Sequence, residues 1–159
     1  MTEKIIIAGS GGQGIMLLGK IIAESAMHED KFVTWLPAYG AEVRGGTAHC
    51  MVIISDQEIG SPYVEKVDTL IVLNEPSLVK FKSRLTNKSL LIANSSLIED
   101  KSVKGEYHSF TDMAIKLGNV KVANMVALGY FISCKKKIFL KKASYRQYRI
   151  SPLRIRNIL

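Results

Sequence analysis

Cysteine is scarce in this chain: Cys50 and Cys134 are the only two among 159 residues. Two thiols cannot build a disulfide scaffold, nor can they supply the four thiolates of an iron–sulfur cluster. Each reads as a small hydrophobe, and Cys50 opens an apolar strand where burial is expected. Histidine is as thin, with His28, His49 and His108 standing singly, so no metal site is expected. Long apolar runs are missing too, and nothing approaches the roughly 20 residues of a membrane span. Met1, Thr2, Glu3 and Lys4 lead straight into an apolar strand without a cleavage pattern. These absences point to a cytoplasmic protein with no membrane contact. There is also no Pro/Ser-rich linker and no internal repeat, which suits a single folded domain.

Acidic residues are absent from the C-terminal stretch, where basic ones are frequent. Nine of the 22 Lys and Arg residues lie between Cys134 and Leu159, where there is no Asp or Glu. The first 133 residues therefore hold 13 basic residues against all 14 acidic ones. The net charge of +8 belongs to residues 134–159, a basic tail, and the body over residues 1–133 is nearly neutral. Nucleic-acid binding is not implied by a charge distributed in this way. The tail reads as a solvated end, although its tyrosines interleaved with Arg146 and Arg149 leave RNA or an acidic partner as a rival reading.

What is present is an alternation of strand and helix patterns. Lys4–Ala8 reads as a short buried strand, and residues 14–27 show helical periodicity through Ile15, Leu18, Ile22 and Ala26. Strands are expected at Lys31–Leu36, ending at Pro37, and at His49–Ser55, Asp68–Leu73, Ser89–Ala93 and Glu106–Phe110. Helices are expected at Pro76–Arg84, from a cap at Thr111 and Asp112 to Gly118, and finally at Val122–Ser133. This order predicts an α/β fold: a three-layer, Rossmann-like domain with a mainly parallel or mixed sheet.

Two polar loops interrupt the pattern. Gly9, Gly11 and Gly14 satisfy G-x-G-x-x-G between a strand and a helix, with Gly12 and Gln13 inside the turn. Such a loop either makes a tight strand–helix turn or brings backbone N–H groups to a phosphate. A nicotinamide site also needs an acid at the end of the second strand. Here that strand ends in Trp35, Leu36 and Pro37, which counts against a free-standing dehydrogenase. The second loop spans Trp35–Ala48 and holds Tyr39, Glu42, Arg44, Gly45 and Gly46. Arg44 offers a planar fork for carboxylate or phosphate, and Glu42 is placed either to orient it or simply to pin the loop. The glycine pair permits tight folding. No base, nucleophile or second carboxylate accompanies them, so neither loop reads as catalytic.

In order, the chain reads Gly-Ser-Gly-Gly-Gln-Gly at 9–14, then Leu-Pro-Ala-Tyr-Gly-Ala-Glu-Val-Arg-Gly-Gly-Thr-Ala at 36–48. Ile-Gly-Ser-Pro follows at 59–62, then the stretch from Asp68 to Leu78 and Asn-Met-Val-Ala-Leu-Gly at 124–129. This series resembles the gamma subunit of 2-oxoacid:ferredoxin oxidoreductases over about residues 3 to 133. The Tyr-Gly-x-Glu-x-Arg-Gly-Gly form is most similar to the 2-oxoglutarate, 2-oxoisovalerate and pyruvate branches, and less so to the indolepyruvate branch. The resemblance implies a chain inactive alone. Alpha and beta partners would bind thiamine diphosphate, and iron–sulfur clusters would lie in partner subunits, including a ferredoxin-like delta subunit. Ferredoxin would accept the electrons. It further implies that Gly9, Gly11, Gly12, Gln13 and Gly14, with Tyr39, Glu42, Arg44, Gly45 and Gly46, contact coenzyme A or a neighbouring subunit. Residues from about Ile138 depart from the family, lacking its acids and its helical pattern.

Overall fold

The computed structural model describes residues 1–38 and 47–139. Six strands form one sheet: β1 (Thr2–Gly9), β2 (Phe32–Ala38), β3 (Ala48–Ser55), β4 (Thr69–Val72), β5 (Leu90–Asn94) and β6 (Glu106–His108). Their order across the sheet is β2-β3-β1-β4-β5-β6. β1, β4, β5 and β6 pair in parallel, whereas β3 is antiparallel to both β1 and β2. β2 therefore runs with β1, and β3 alone is reversed. The sheet is mixed but mostly parallel, as the alternating pattern predicts.

The central strands are continuous apolar runs because both of their faces are covered. Ile5 and Ile7 of β1 enter one core, together with Val52, Ile71 and Ile92. Ile6 and Ala8 enter the other, with Met51, Leu70 and Leu91. Helices α1 (Ile15–His28), α3 (Phe110–Lys116) and α4 (Ala123–Cys134) contribute to the first core through Leu18, Ile22, Phe110 and Phe131. Helix α2 (Glu75–Phe81) covers the second through Leu78 and Phe81. The expected stripe on α1 is the buried one: Ile15, Leu18, Ile22 and Ala26 are all at most 2% exposed.

Several details differ from the sequence reading, among them β6, which stops at His108 so that Phe110 opens a helix. Pro37 does not end β2, because β2 pairs only with β3 and an edge strand tolerates a residue without an N–H. Helix α3 starts at Phe110, and its first amides are held from outside. Asn94 Oδ1 accepts from the Thr111 N–H at 3.3 Å and Ser96 Oγ from the Asp112 N–H at 3.2 Å. Thr111 and Asp112 are thus capped residues instead of caps. Nor is α4 the last helix, since a short α5 (Lys136–Phe139) follows it. The first residues of the basic segment pack on the domain: Ile138 is 3% exposed within the first core, and Lys135 pairs with Glu3.

Candidate functional site

Because β3 is the only reversed strand among the described residues, the carboxyl ends of the other five and the start of β3 share one edge of the sheet. Gly9, the last residue of β1, pairs with Ala48, the first of β3. Ala38, the last residue of β2, pairs with His49. The glycine loop and the Trp35–Ala48 loop, separate in sequence, are thereby anchored side by side. Open α/β sheets hold their ligands at this edge.

The glycine loop is rigidly tied. Gly14 precedes α1 in the left-handed region (φ 71°, ψ 28°), and Gly12 also has a positive φ of 89°. Gln13 turns inward: its Oε1 accepts from the Ser10 N–H at 2.6 Å and its Nε2 donates to the Leu73 carbonyl at 3.3 Å. Asn74 donates through Nδ2 to Ser10 Oγ at 2.7 Å, while its Oδ1 caps α2 by accepting from the Ser77 N–H at 3.2 Å. Asn94 donates to the same Leu73 carbonyl at 3.2 Å and to Thr111 Oγ1 at 2.9 Å. From α4, Asn124 Nδ2 donates to the Gly14 carbonyl at 3.2 Å. Four uncharged carboxamides therefore brace the loop and the strand ends beside it. Buried polar groups that are mutually satisfied in this way specify one geometry.

A depression of about 330 Å³ opens beside this loop, lined by Ser10, Gly11, Gly12 and Gly14, the first residues of α1, and Ala48. Among the described residues that line it, none is charged. Helix α1 has no side-chain cap and no acid in its first turn, so its first N–H groups supply the positive end of the helix dipole. On the far side, Lys80 of α2 reaches Thr47 Oγ1 at 3.5 Å, at the end of the second loop. This arrangement can hold a ligand or a protein segment, with backbone donors for an anion and apolar walls for the rest. Among the described residues lining it, Ser10 carries the one side-chain hydroxyl, whose Oγ accepts from Asn74, and there is no base to activate it.

Of the residues expected to form the site, Gly11, Gly12 and Gly14 line the depression. Gly9 ends β1, and Gln13 supports the loop from behind. Tyr39, Glu42, Arg44, Gly45 and Gly46 lie outside the described residues. Asn74, Asn94 and Asn124 were not anticipated as site residues, because isolated asparagines show no spacing signal. The Rossmann dehydrogenase reading loses further ground. The strand beside β1 on this side is β3, which is antiparallel, so no second-strand terminus reaches the place of a ribose-binding acid.

A family model for pyruvate ferredoxin/flavodoxin oxidoreductase matches residues 4–148. The chain belongs to this family. It is 36% identical over 132 residues to the ketoisovalerate oxidoreductase subunit VorA of Methanothermobacter thermautotrophicus, covering 82% of this chain and 28% of VorA. Against the 2-oxoglutarate synthase subunit KorC of Archaeoglobus fulgidus it is 36% identical over 126 residues, covering 79% of this chain and 66% of KorC. The chain thus spans little more than a quarter of the first relative and about two thirds of the second. Among solved structures, the keto/oxoacid ferredoxin oxidoreductase gamma subunit from Geobacter sulfurreducens superposes with a TM-score of 0.73 at 28% identity, covering 86% of this chain and 77% of that one. The 2-oxoglutarate:ferredoxin oxidoreductase from Magnetococcus marinus, with 2-oxoglutarate, coenzyme A and succinyl-CoA bound, shares the fold. Its TM-score is 0.74 at 20% identity, covering 87% of this chain and 26% of that one. The gamma-subunit resemblance of the sequence motifs is thereby borne out, and the domain is a component of an oxidoreductase family.

Proposed function

We propose that this chain is the gamma component of a multi-subunit, cytoplasmic 2-oxoacid:ferredoxin oxidoreductase, and that its glycine loop and Arg44 position coenzyme A. In that assembly alpha and beta partners bind thiamine diphosphate, and iron–sulfur clusters carry two electrons to ferredoxin, with a ferredoxin-like delta subunit among the carriers. The oxoacid is decarboxylated and its acyl group passes to the coenzyme A thiol. This chain contributes binding and orientation only. The observation that supports the reading is the pairing of Gly9 with Ala48, which puts the end of the glycine loop's strand beside the start of β3, at a depression whose described lining has backbone donors and no charged side chain. In this reading Gly11 and Gly12 face the ligand and Gln13 and Gly9 shape the loop, and we infer from the family resemblance that Tyr39, Glu42, Gly45 and Gly46 act with Arg44 at the same site.

A 2-oxoglutarate substrate is the preferred branch, since the match to KorC spans far more of that relative than the match to VorA does. The equal identity to VorA favours a branched 2-oxoacid as the second reading. Two measurements test the proposal. The chain should co-purify with its alpha and beta partners, and a stable monomer indifferent to them would refute the assembly. Coenzyme A titrated into the assembled enzyme should bind roughly tenfold or more weakly after Arg44→Ala, the cost of losing a charge-assisted contact. Unchanged affinity would remove Arg44 from the site. Turnover of the assembly with 2-oxoglutarate against 2-oxoisovalerate then decides the branch.

A further inference from the structure

Asn124 reaches the glycine loop from 110 residues further along the chain. It stands in the first turn of α4 and is only 3% exposed. Its Nδ2 donates to the Gly14 carbonyl at 3.2 Å, and its Oδ1 accepts from the Met125 N–H at 2.9 Å, so its own helix sets which end points at the loop. The same Gly14 carbonyl takes the first helical bond of α1, from the Leu18 N–H at 2.9 Å. Contact is close enough that a Cβ on Gly14 would lie 2.3 Å from Asn124 Nδ2. The amide therefore occupies the space a side chain at position 14 would need.

We propose that Asn124 is a positioning residue for the ligand held at the glycine loop. It fixes the direction of the Gly14 peptide, and through it the aim of the N–H groups that open α1. The division of labour around the loop supports this role. Gln13 and Asn74 hold its front through Ser10, whereas Asn124 holds its rear where the helix begins. A neutral amide suits the task, because a cation there would compete for the anion and a carboxylate would repel it. An amide also keeps one geometry across the pH range, since it does not titrate. This assignment rests on the coenzyme A reading above.

The test uses the assembled enzyme as wild type, Asn124→Ala and Asn124→Asp. Coenzyme A affinity is measured across pH, and amide hydrogen exchange over residues 10–18 is followed with and without coenzyme A. Asn124→Ala should weaken binding roughly twofold to tenfold, the range for one hydrogen bond. Asn124→Asp keeps the shape but, as a carboxylate, offers no donor and adds a negative charge. It should lose roughly tenfold or more near neutral pH. On acidification its carboxyl gains a proton and donates again, so its affinity should climb back toward the wild-type value at the same pH. A space-filling side chain would give Asp the wild-type affinity at every pH, and that result overturns the proposal. Weakening in both variants without recovery in acid also overturns it, leaving Asn124 a folding residue. If coenzyme A leaves exchange over residues 10–18 unchanged in the wild type, the coenzyme A reading itself fails. Protection in the wild type with indifferent variants removes Asn124 alone.

Discussion

Glu3 and Lys135 stand 132 positions apart and meet as an ion pair, with Nζ 2.8 Å from Oε1 and 3.1 Å from Oε2. The Glu3 side chain is only 9% exposed, and its Oε1 also accepts from Thr69 Oγ1 at 2.5 Å. This contact joins the first strand to the start of the basic segment. Removing one partner strands a charge with little water around it. Lys135→Met should lower the unfolding free energy by about 1–3 kcal/mol, less than a fully buried pair because Lys135 is 24% exposed. The double variant Glu3→Gln with Lys135→Met should recover part of that loss in denaturant titration. Additive losses would show that the two charges do not interact.

Gly19 tests packing against propensity. It lies within α1, where alanine ordinarily gains about 1 kcal/mol over glycine. Here a Cβ would sit 2.4 Å from Cys50 Sγ and 3.1 Å from Trp35 Nε1, both on strands packed beneath the helix. Gly19→Ala should therefore destabilise, by about 1–3 kcal/mol. A rise in melting temperature would mean that the helix shifts outward freely.

The two thiols should differ sharply in reactivity. Cys50 is fully buried, and burial pushes its thiol up to about 12, far from the thiolate range at neutral pH. Cys134 is exposed. Mass spectrometry after alkylation of the native chain should find one modified cysteine, at position 134, and two after denaturation. Native labelling of Cys50 would contradict the packing of Gly19 and Trp35 against it.

Asp56 supplies a pH signature. Its carboxyl accepts from Lys31 Nζ and from the N-terminal amine, the latter at 2.6 Å, and the Lys31 contact foremost holds it down to about 2. A carboxyl lowered by folding adds stability above its ordinary value of 3.8, and that contribution fades as pH falls toward 2. In Asp56→Asn this segment of the acid stability curve should flatten. Because the group is exposed, high salt should shrink the difference. A salt-independent difference would point to something other than these ion pairs.

The central strands β1, β3, β4 and β5 were legible because burial on both faces leaves an unbroken apolar run, and α1 because its stripe matches one turn in 3.6 residues. Pro37 was misplaced as a terminator since sequence does not reveal which strand is an edge. The cap of α3 was misassigned for a similar reason: Asn94 and Ser96 act across a crossover, and local spacing sees only Thr111 and Asp112. At the site, the glycine spacing announced the turn. Its amide braces did not show, because Asn74, Asn94 and Asn124 converge only after the sheet has formed. For Gln13 the resemblance implies contact with coenzyme A or a neighbouring subunit; in the fold its side chain bonds the Leu73 carbonyl and the Ser10 N–H.

The reversal of β3 has a mechanical consequence. A crossover between parallel strands must carry a helix across the sheet, so changing its length disturbs a packed layer. The connection from β2 to β3 instead joins two antiparallel neighbours at one rim. Both of its ends are held by the sheet itself, where Ala38 faces His49 and Gly9 faces Ala48. Backbone pairing within one sheet thus sets where the connection leaves and re-enters the domain, independently of the side chains packed on either face.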